Sequence, residues 1–324
     1  MTGAEGSADP ADGRGEESVS TPGSGARLAL AGAVGIALAL GTAARAQAPE
    51  HAERRVLLVN VLDEDGHRVE GLTAASFRGE LRGRPVTVLS AAGDEGPRNV
   101  AVLVDVSASS ARTGDASWRA AEWLVERLTP KHRVVLLTVA EKVTKHSELT
   151  NDRQALHEAL RDARARPAWG PSALGDGVVQ VCRGFRDGGP GSVVCLLTDG
   201  ADNSSRLDRS AVEKALAATR VRVSVVRPDR PRADVPALFQ DAERWTKAVT
   251  DATGGLIVRP GSRGKEGNVE TLVASIVDTW RLEVAFPLPI DKPRPWKLEV
   301  AGPDGERLRG VRLVYPRIVA PGEP

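Results

Sequence analysis

Asp105, Ser107 and Ser109 stand at alternate positions directly after the apolar run Val100–Val104. Three short oxygen side chains at every second residue make a compact acceptor cluster, and hard cations such as Mg²⁺ and Mn²⁺ prefer oxygen ligands of this kind. Two later segments carry further candidates. Gly170-Pro171-Ser172-Ala173-Leu174 offers the Ser172 hydroxyl, and the strand Ser192–Leu197 runs into Thr198-Asp199-Gly200. In open α/β sheets ligands bind beyond the carboxyl ends of the strands, where the winding reverses. Asp105, Asp199 and the loop before Ser172 would share that rim. Ser107, Ser109 and Ser172 can then meet an ion directly, while Asp105 and Asp199 hold its bound water and balance its charge. Octahedral Mg²⁺ tends to keep waters, which leaves one position open for an acidic group from a partner. A plainer reading has Asp105 and the serines capping the next helix and Asp199 forming a turn.

The elements that must position these groups alternate from Arg98 to about Thr279. Val100–Val104 reads as a strand covered on both faces. Ser117–Leu128 is a helix with Trp118, Ala121, Val125 and Leu128 on one stripe. Val134–Val139 and Lys142–Leu149 read as a strand and an antiparallel edge partner. Helices follow over Asp152–Ala163 and Ser172–Arg183, then the strand Val193–Leu197. Ser210-Ala211-Val212-Glu213 reads as a capping box opening a helix to Thr219, and Val221–Val226 as a strand. Pro236–Thr253, with Leu238, Ala242, Trp245, Val249 and Ala252 aligned, is a helix. Leu256–Val258 is a short strand and Asn268–Thr279 the closing helix. This pattern predicts an α/β fold: a doubly wound, mostly parallel, Rossmann-like sheet with helices on both faces.

Both flanks are all-β. Arg54–Leu62, His67–Leu72, Ser76–Leu81 and Val86–Ser90 precede the α/β segment, and Asp63-Glu64-Asp65-Gly66 reads as a hairpin turn rather than a calcium loop. Arg281–Phe286, Pro295–Val300 and Leu308–Val314 follow it. Neither flank is large enough for its own core. We expect residues 53–93 and 280–318 to join into one small β-sandwich, with residues 98–279 inserted as the α/β domain. Cys182 and Cys195, the only cysteines, show no metal spacing. Two buried free thiols are the plainer reading, and a helix-to-strand disulfide the other.

The order of these motifs carries a resemblance. An Asp-x-Ser-x-Ser after an all-apolar strand, then a Gly-x-Ser turn, then an apolar strand ending in Thr-Asp-Gly resembles the von Willebrand factor A (VWA) family and its metal-ion-dependent adhesion site, over roughly residues 98–280. Val61–Thr73 followed by Ser76–Leu89, and the closing Val311-Arg312-Leu313-Val314-Tyr315, look like a bacterial VWA-related family common in exported proteins. The resemblance implies Asp105, Ser107, Ser109, Ser172 and Asp199 as metal-site residues. The family more often has Thr where Ser172 stands, usually after Gly-Gly; Pro171 intervenes here, which implies a stiffer loop and lower affinity. Asp176 and Asp202 match no family position and read as surface charges.

Bulk properties narrow the partners. The 324 residues carry 44 basic and 43 acidic side chains spread along the chain, a net charge of +1, and this balance argues against the one-signed basic surface that nucleic acid needs. Aromatic residues, at 3%, are too few for base-stacking platforms. Residues 1–26 read as a disordered tail and residues 27–48 as a signal peptide or membrane anchor. There Leu28–Ala44 is apolar between Arg27 and Arg45, and Ala44-Arg45-Ala46 fits a cleavage site. Either way the remainder is exported, to the periplasm, cell envelope or outside, and touches membrane only through an uncleaved segment. Neither GxSxG nor GxxxxGK[ST] occurs, and His51, His67, His132, His146 and His157 are all placed away from the serines. The sequence reads as a non-enzymatic, exported protein binding an acidic protein or extracellular ligand through Mg²⁺ or Mn²⁺. The alternative is a structural envelope subunit with a vestigial site.

Overall fold

Val100 to Val104 is apolar at every position because alternate side chains enter two different cores. Val100, Val102 and Val104 pack with Trp118, Leu124, Leu156 and Leu272 on one face. Ala101 and Leu103 pack with Leu174, Val178, Leu216 and Val249 on the other. The computed structural model describes residues 52–166, 169–185, 191–228, 237–260 and 268–321, giving backbone alone for Arg112 and residues 237–240. The leader, His51 and the side chain of Leu238 lie outside what it describes.

In chain order the elements begin with β1 (Glu53–Leu62), β2 (Phe77–Leu81) and β3 (Arg84–Asp94). The alternating segment follows: β4 (Asn99–Asp105), α1 (Gly114–Leu128), β5 (Arg133–Val139), β6 (Val143–Lys145), α2 (Arg153–Ala165), α3 (Leu174–Phe185), β7 (Val193–Leu197), α4 (Arg209–Thr219), β8 (Arg222–Val226), α5 (Ala237–Thr253), β9 (Ile257–Val258) and α6 (Val269–Val277). The chain closes with β10 (Thr279–Phe286), β11 (Arg294–Pro295), β12 (Lys297–Val300), β13 (Arg312–Val314) and β14 (Ile318–Val319). A six-stranded sheet runs β6-β5-β4-β7-β8-β9. All its pairings are parallel except β5–β6. The winding leaves β4 first toward β5 and later toward β7, so the crevice for a ligand lies at the carboxyl ends of β4 and β7. This is the doubly wound α/β fold.

Several boundaries differ from the sequence pattern for local reasons. α3 starts at Leu174, so Ser172 sits in the preceding loop and not in the helix. α4 is capped by Asp208, whose carboxylate accepts from Ala211 N, and not by Ser210. Asp208 stands two residues earlier and closes the first turn, so Ser210 falls inside the helix, where it is no longer the cap. The edge strand shrinks to Val143–Lys145, and His67–Leu72 is reduced to a single bridge between Leu62 and Arg68.

Strands from before and after the α/β segment interleave in a second six-stranded sheet, β12-β2-β3-β10-β1-β13, and β11 pairs with β14. Phe77, Leu81, Trp280, Leu282, Phe286 and Trp296 fill its core. Where this sheet meets the α/β layers, polar groups are buried. Asn60 donates to Ser275 O and Asp278 O, and Arg222 donates to Asn60 Oδ1 (3.0 Å) and Ser275 O (2.9 Å). Arg98 binds Asp94 at 2.7 Å, and its amide donates to His132 Nδ1. Cys182 and Cys195 are free and belong to the two opposite cores, with the sheet between them. Burial pushes the Cys195 thiol up to about 12.

Candidate metal centre

Asp105 ends β4 and is only 2% exposed. Its Oδ1 accepts from Ser107 N (3.0 Å), a turn that swings the chain back so that Ser107 and Ser109 point the same way. Their hydroxyl oxygens lie 3.1 Å apart. Two oxygens on adjacent vertices of an Mg²⁺ octahedron, each at ~2.1 Å, are separated by about 3 Å. The pair therefore has the spacing of two neighbouring ligands. Ser107 opens the short helical turn Ala108–Arg112, yet its side chain makes no capping bond, so capping does not account for it.

The second loop is pinned to the first, because Ala108 N donates to Gly170 O at 3.1 Å. Ser172 is fully buried, and its Oγ has no hydrogen-bond partner. An unsatisfied buried hydroxyl costs ~1–3 kcal/mol, and a cation is a group that would complete it. Its backbone is held rigidly: Ser172 N donates to Asn203 Oδ1 (2.8 Å), and Ser172 O accepts from Asn203 N and Ser204 N.

The third segment leaves β7 through Thr198 and Asp199. Asp199 is 4% exposed, and its Oδ1 accepts from Ala201 N. Gly200 takes φ +83°, a turn that side chains resist, and a Cβ there would press on Ala242 and Thr246. Thr198 carries a role that its place beside Asp199 did not disclose. Its hydroxyl donates to Asp105 Oδ2 at 2.6 Å while accepting from Gly200 N. Direct hydrogen bonds thus join Asp105, Ser107 and Ser109, whereas Ser172 and Asp199 reach the rim through Gly170 and Thr198.

Asp176 and Asp202 are not idle surface charges. Asp202 accepts from Gly175 N and Ser205 N, and Asp176 from Arg206 N and Leu207 N. Burial would raise Asp176, but the amides of Arg206 and Leu207 hold its carboxyl below the usual range. Both tie the loop after Asp199 to the start of α3. Asp105 behaves oppositely. Burial pushes it up, and hydrogen bonds from Ser107 and Thr198 oppose this without cancelling it.

Another acidic group, Asp63, Asp65 and His67, is exposed throughout. Asp63 Oδ1 is already taken by Asp65 N and His67 N, so it closes a hairpin turn. The described histidines are engaged elsewhere: His132 with Arg98 N, His146 with Thr138 and His157 with Glu126.

The profile of the von Willebrand factor type A domain matches residues 100–201, a span that runs from β4 to just past Asp199. No curated protein matches the chain. Among solved structures, a von Willebrand factor type A protein from Catenulispora acidiphila is similar at 12% identity, over 85% of this chain and 76% of that one, with a TM-score of 0.45. BatB from Bacteroides thetaiotaomicron is 18% identical over 56% of this chain and 97% of its own, with a TM-score of 0.43. Proximal thread matrix protein 1 of the mussel byssus, in a form with a zinc-occupied MIDAS motif, is 16% identical over 59% of this chain and 49% of its own, at 0.45.

Proposed function

The chain carries a domain of the von Willebrand factor type A family, and from that premise we propose that it is an exported binding protein that holds Mg²⁺ or Mn²⁺ and recognises an acidic group on a protein or extracellular ligand. Ser107, Ser109 and Ser172 supply neutral oxygens to the ion. Asp105 and Asp199 supply charge balance and orient its water. Two observations support the reading: the fully buried Ser172 hydroxyl has no hydrogen-bond partner, and its loop is tied through Gly170 O to Ala108, next to the Ser107–Ser109 pair. When bound, the ion offers a Lewis-acidic position to a partner's carboxylate. Neutral first ligands leave it more electrophilic than a carboxylate cage would. Thr198 fixes the rotamer of Asp105, and Asn203 fixes the height of Ser172.

We read residues 98–279 as the binding domain and residues 53–93 with 280–318 as one β domain that carries it; the separate core of the flanking sheet supports this division. The apolar stretch Leu28–Ala44 supports export, as a cleaved signal or an anchor. Thermal denaturation with and without Mg²⁺ or Mn²⁺ tests the site. An ion that binds only the folded state raises the melting temperature, by ~2.7 kcal/mol of stability at a hundredfold excess over Kd. Asp105→Ala should abolish that rise. No response in the wild type would favour the alternative, a structural envelope subunit whose site is vestigial. Capture of partners from envelope extract in Mg²⁺ but not in EDTA, and not by Asp105→Ala, tests the adhesive role.

A further inference from the structure

At the amino end of the same sheet, remote from the metal rim, β1, the ends of α4 and α5 and the terminal strand β14 enclose a cavity of about 380 Å³. That volume lies within the range of small-molecule sites, ~300–1,000 Å³. Its wall is mostly apolar, with Leu58, Leu216, Val221 and Val319 among the lining residues. Among the described residues its charged lining is Arg54, Arg55, Arg220 and Arg222, with no acidic side chain.

The four arginines are not equally neutralised. Arg55 is taken by Glu53 and by Ala320 O, and Arg54 stands 3.8 Å from Glu283 in solvent. Arg220 and Arg222 have no carboxylate within ion-pair distance among the described residues. Arg222 is 5% exposed, its acceptors are two neutral oxygens, and its Nε is buried without a partner. Burial lowers it only to about 10, so it stays cationic at neutral pH. A buried charge without a counter-ion is expensive, and low-dielectric walls focus its field into the cleft beside it. Arg220 caps α4 with φ +59° and presents an exposed guanidinium at the mouth.

We propose that this cavity binds an amphipathic monoanion, an aliphatic carboxylate. The hydrocarbon lies along Leu216, Val221 and Val319, and the headgroup sits in the field of Arg222 within reach of Arg220. The cationic wall selects the charge, and the apolar wall selects the chain. The site is independent of the metal rim, so either can fail without the other.

Calorimetric titration of the full chain with decanoate, decanol and decyl phosphate tests it. Decanoate is expected to bind at one site, with decanol weaker by about tenfold, equivalent to ~1.4 kcal/mol. Arg220→Gln, a surface change that spares the fold, should weaken decanoate severalfold and leave decanol unchanged. Ala217→Trp, which fills the cavity from α4, should abolish both, while the melting-temperature rise with Mg²⁺ persists in each variant. Equal affinity for decanoate and decanol, no binding of decanoate, binding that survives Ala217→Trp, or a clear preference for decyl phosphate would each overturn the assignment.

Discussion

At the carboxyl ends of β4 and β7 the sheet buries Asp105 and Asp199 among hydroxyls, whereas at the amino ends of β4 and β8 it buries Arg98 and Arg222 among carbonyls. Arg98 has its carboxylate, Asp94, so that half of the amino end is complete without a ligand. Arg222 and Asp105 have no such partner. The contrast separates buried charges that are neutralised within the protein from buried charges that have no protein counter-ion and can still attract a ligand; Arg222 is of the second kind although its hydrogen bonds also brace the junction. In the first kind each charge has a protein counter-charge; in the second a buried charge meets only neutral protein groups, Ser107 N and the Thr198 hydroxyl at Asp105 and two amide oxygens at Arg222.

The largest effect should come from the amino end. Arg222→Ala removes the donor to Asn60 Oδ1 and opens the junction, and should cost about 4 kcal/mol, an orphaned acceptor at ~1–3 kcal/mol plus lost packing. Chemical denaturation measures it. A cost below about 1 kcal/mol would mean that Arg222 is not the strut of that end.

Next comes pH. His132 is 1% exposed, and desolvation first, then Lys131 and Arg98, lower its pKa from 6.5 to about 4. The unfolded chain takes the proton at 6.5 and the folded chain only near 4, so stability is complete above 6.5 and falls as pH drops between the two. The loss should reach at most ~3 kcal/mol. His132→Gln, which cannot titrate, should flatten that part of the stability-against-pH curve. An unchanged slope would contradict the buried neutral ring.

Thr198→Val should be smaller, about 2 kcal/mol for a hydrogen bond to a charged group. It should also weaken Mg²⁺ by loosening Asp105. If stability falls and metal affinity does not, Thr198 serves the loop and not the ion.

The sequence displayed the sheet well, because Val100–Val104 and Val193–Leu197 are buried on both faces and leave no polar position to confuse the pattern. The site was legible where chemistry and position coincide, at Asp105, Ser107 and Ser109. Long-range partners were not legible. The bond from Thr198 to Asp105 spans 93 positions, and the ties of Asp176 and Asp202 to the loop after Asp199 depend on how two turns dock. Short edge elements also misled. The alternation over Lys142–Leu149 looks like one continuous strand, but the strand is only Val143–Lys145, and past it the chain touches β5 again just through His146 N to Leu136 O and a bridge between Val134 and Thr150. The interleaving of β10 between β1 and β3 could be read only as two incomplete flanks that needed each other.

Mn²⁺ binding followed by electron paramagnetic resonance, on the wild type and on Asp105→Asn and Ser172→Val, addresses the rim most directly. One bound ion per chain in the wild type, displaced by Mg²⁺ and lost in both variants, is the predicted result. Free Mn²⁺ throughout, or an ion that both variants retain, would contradict it.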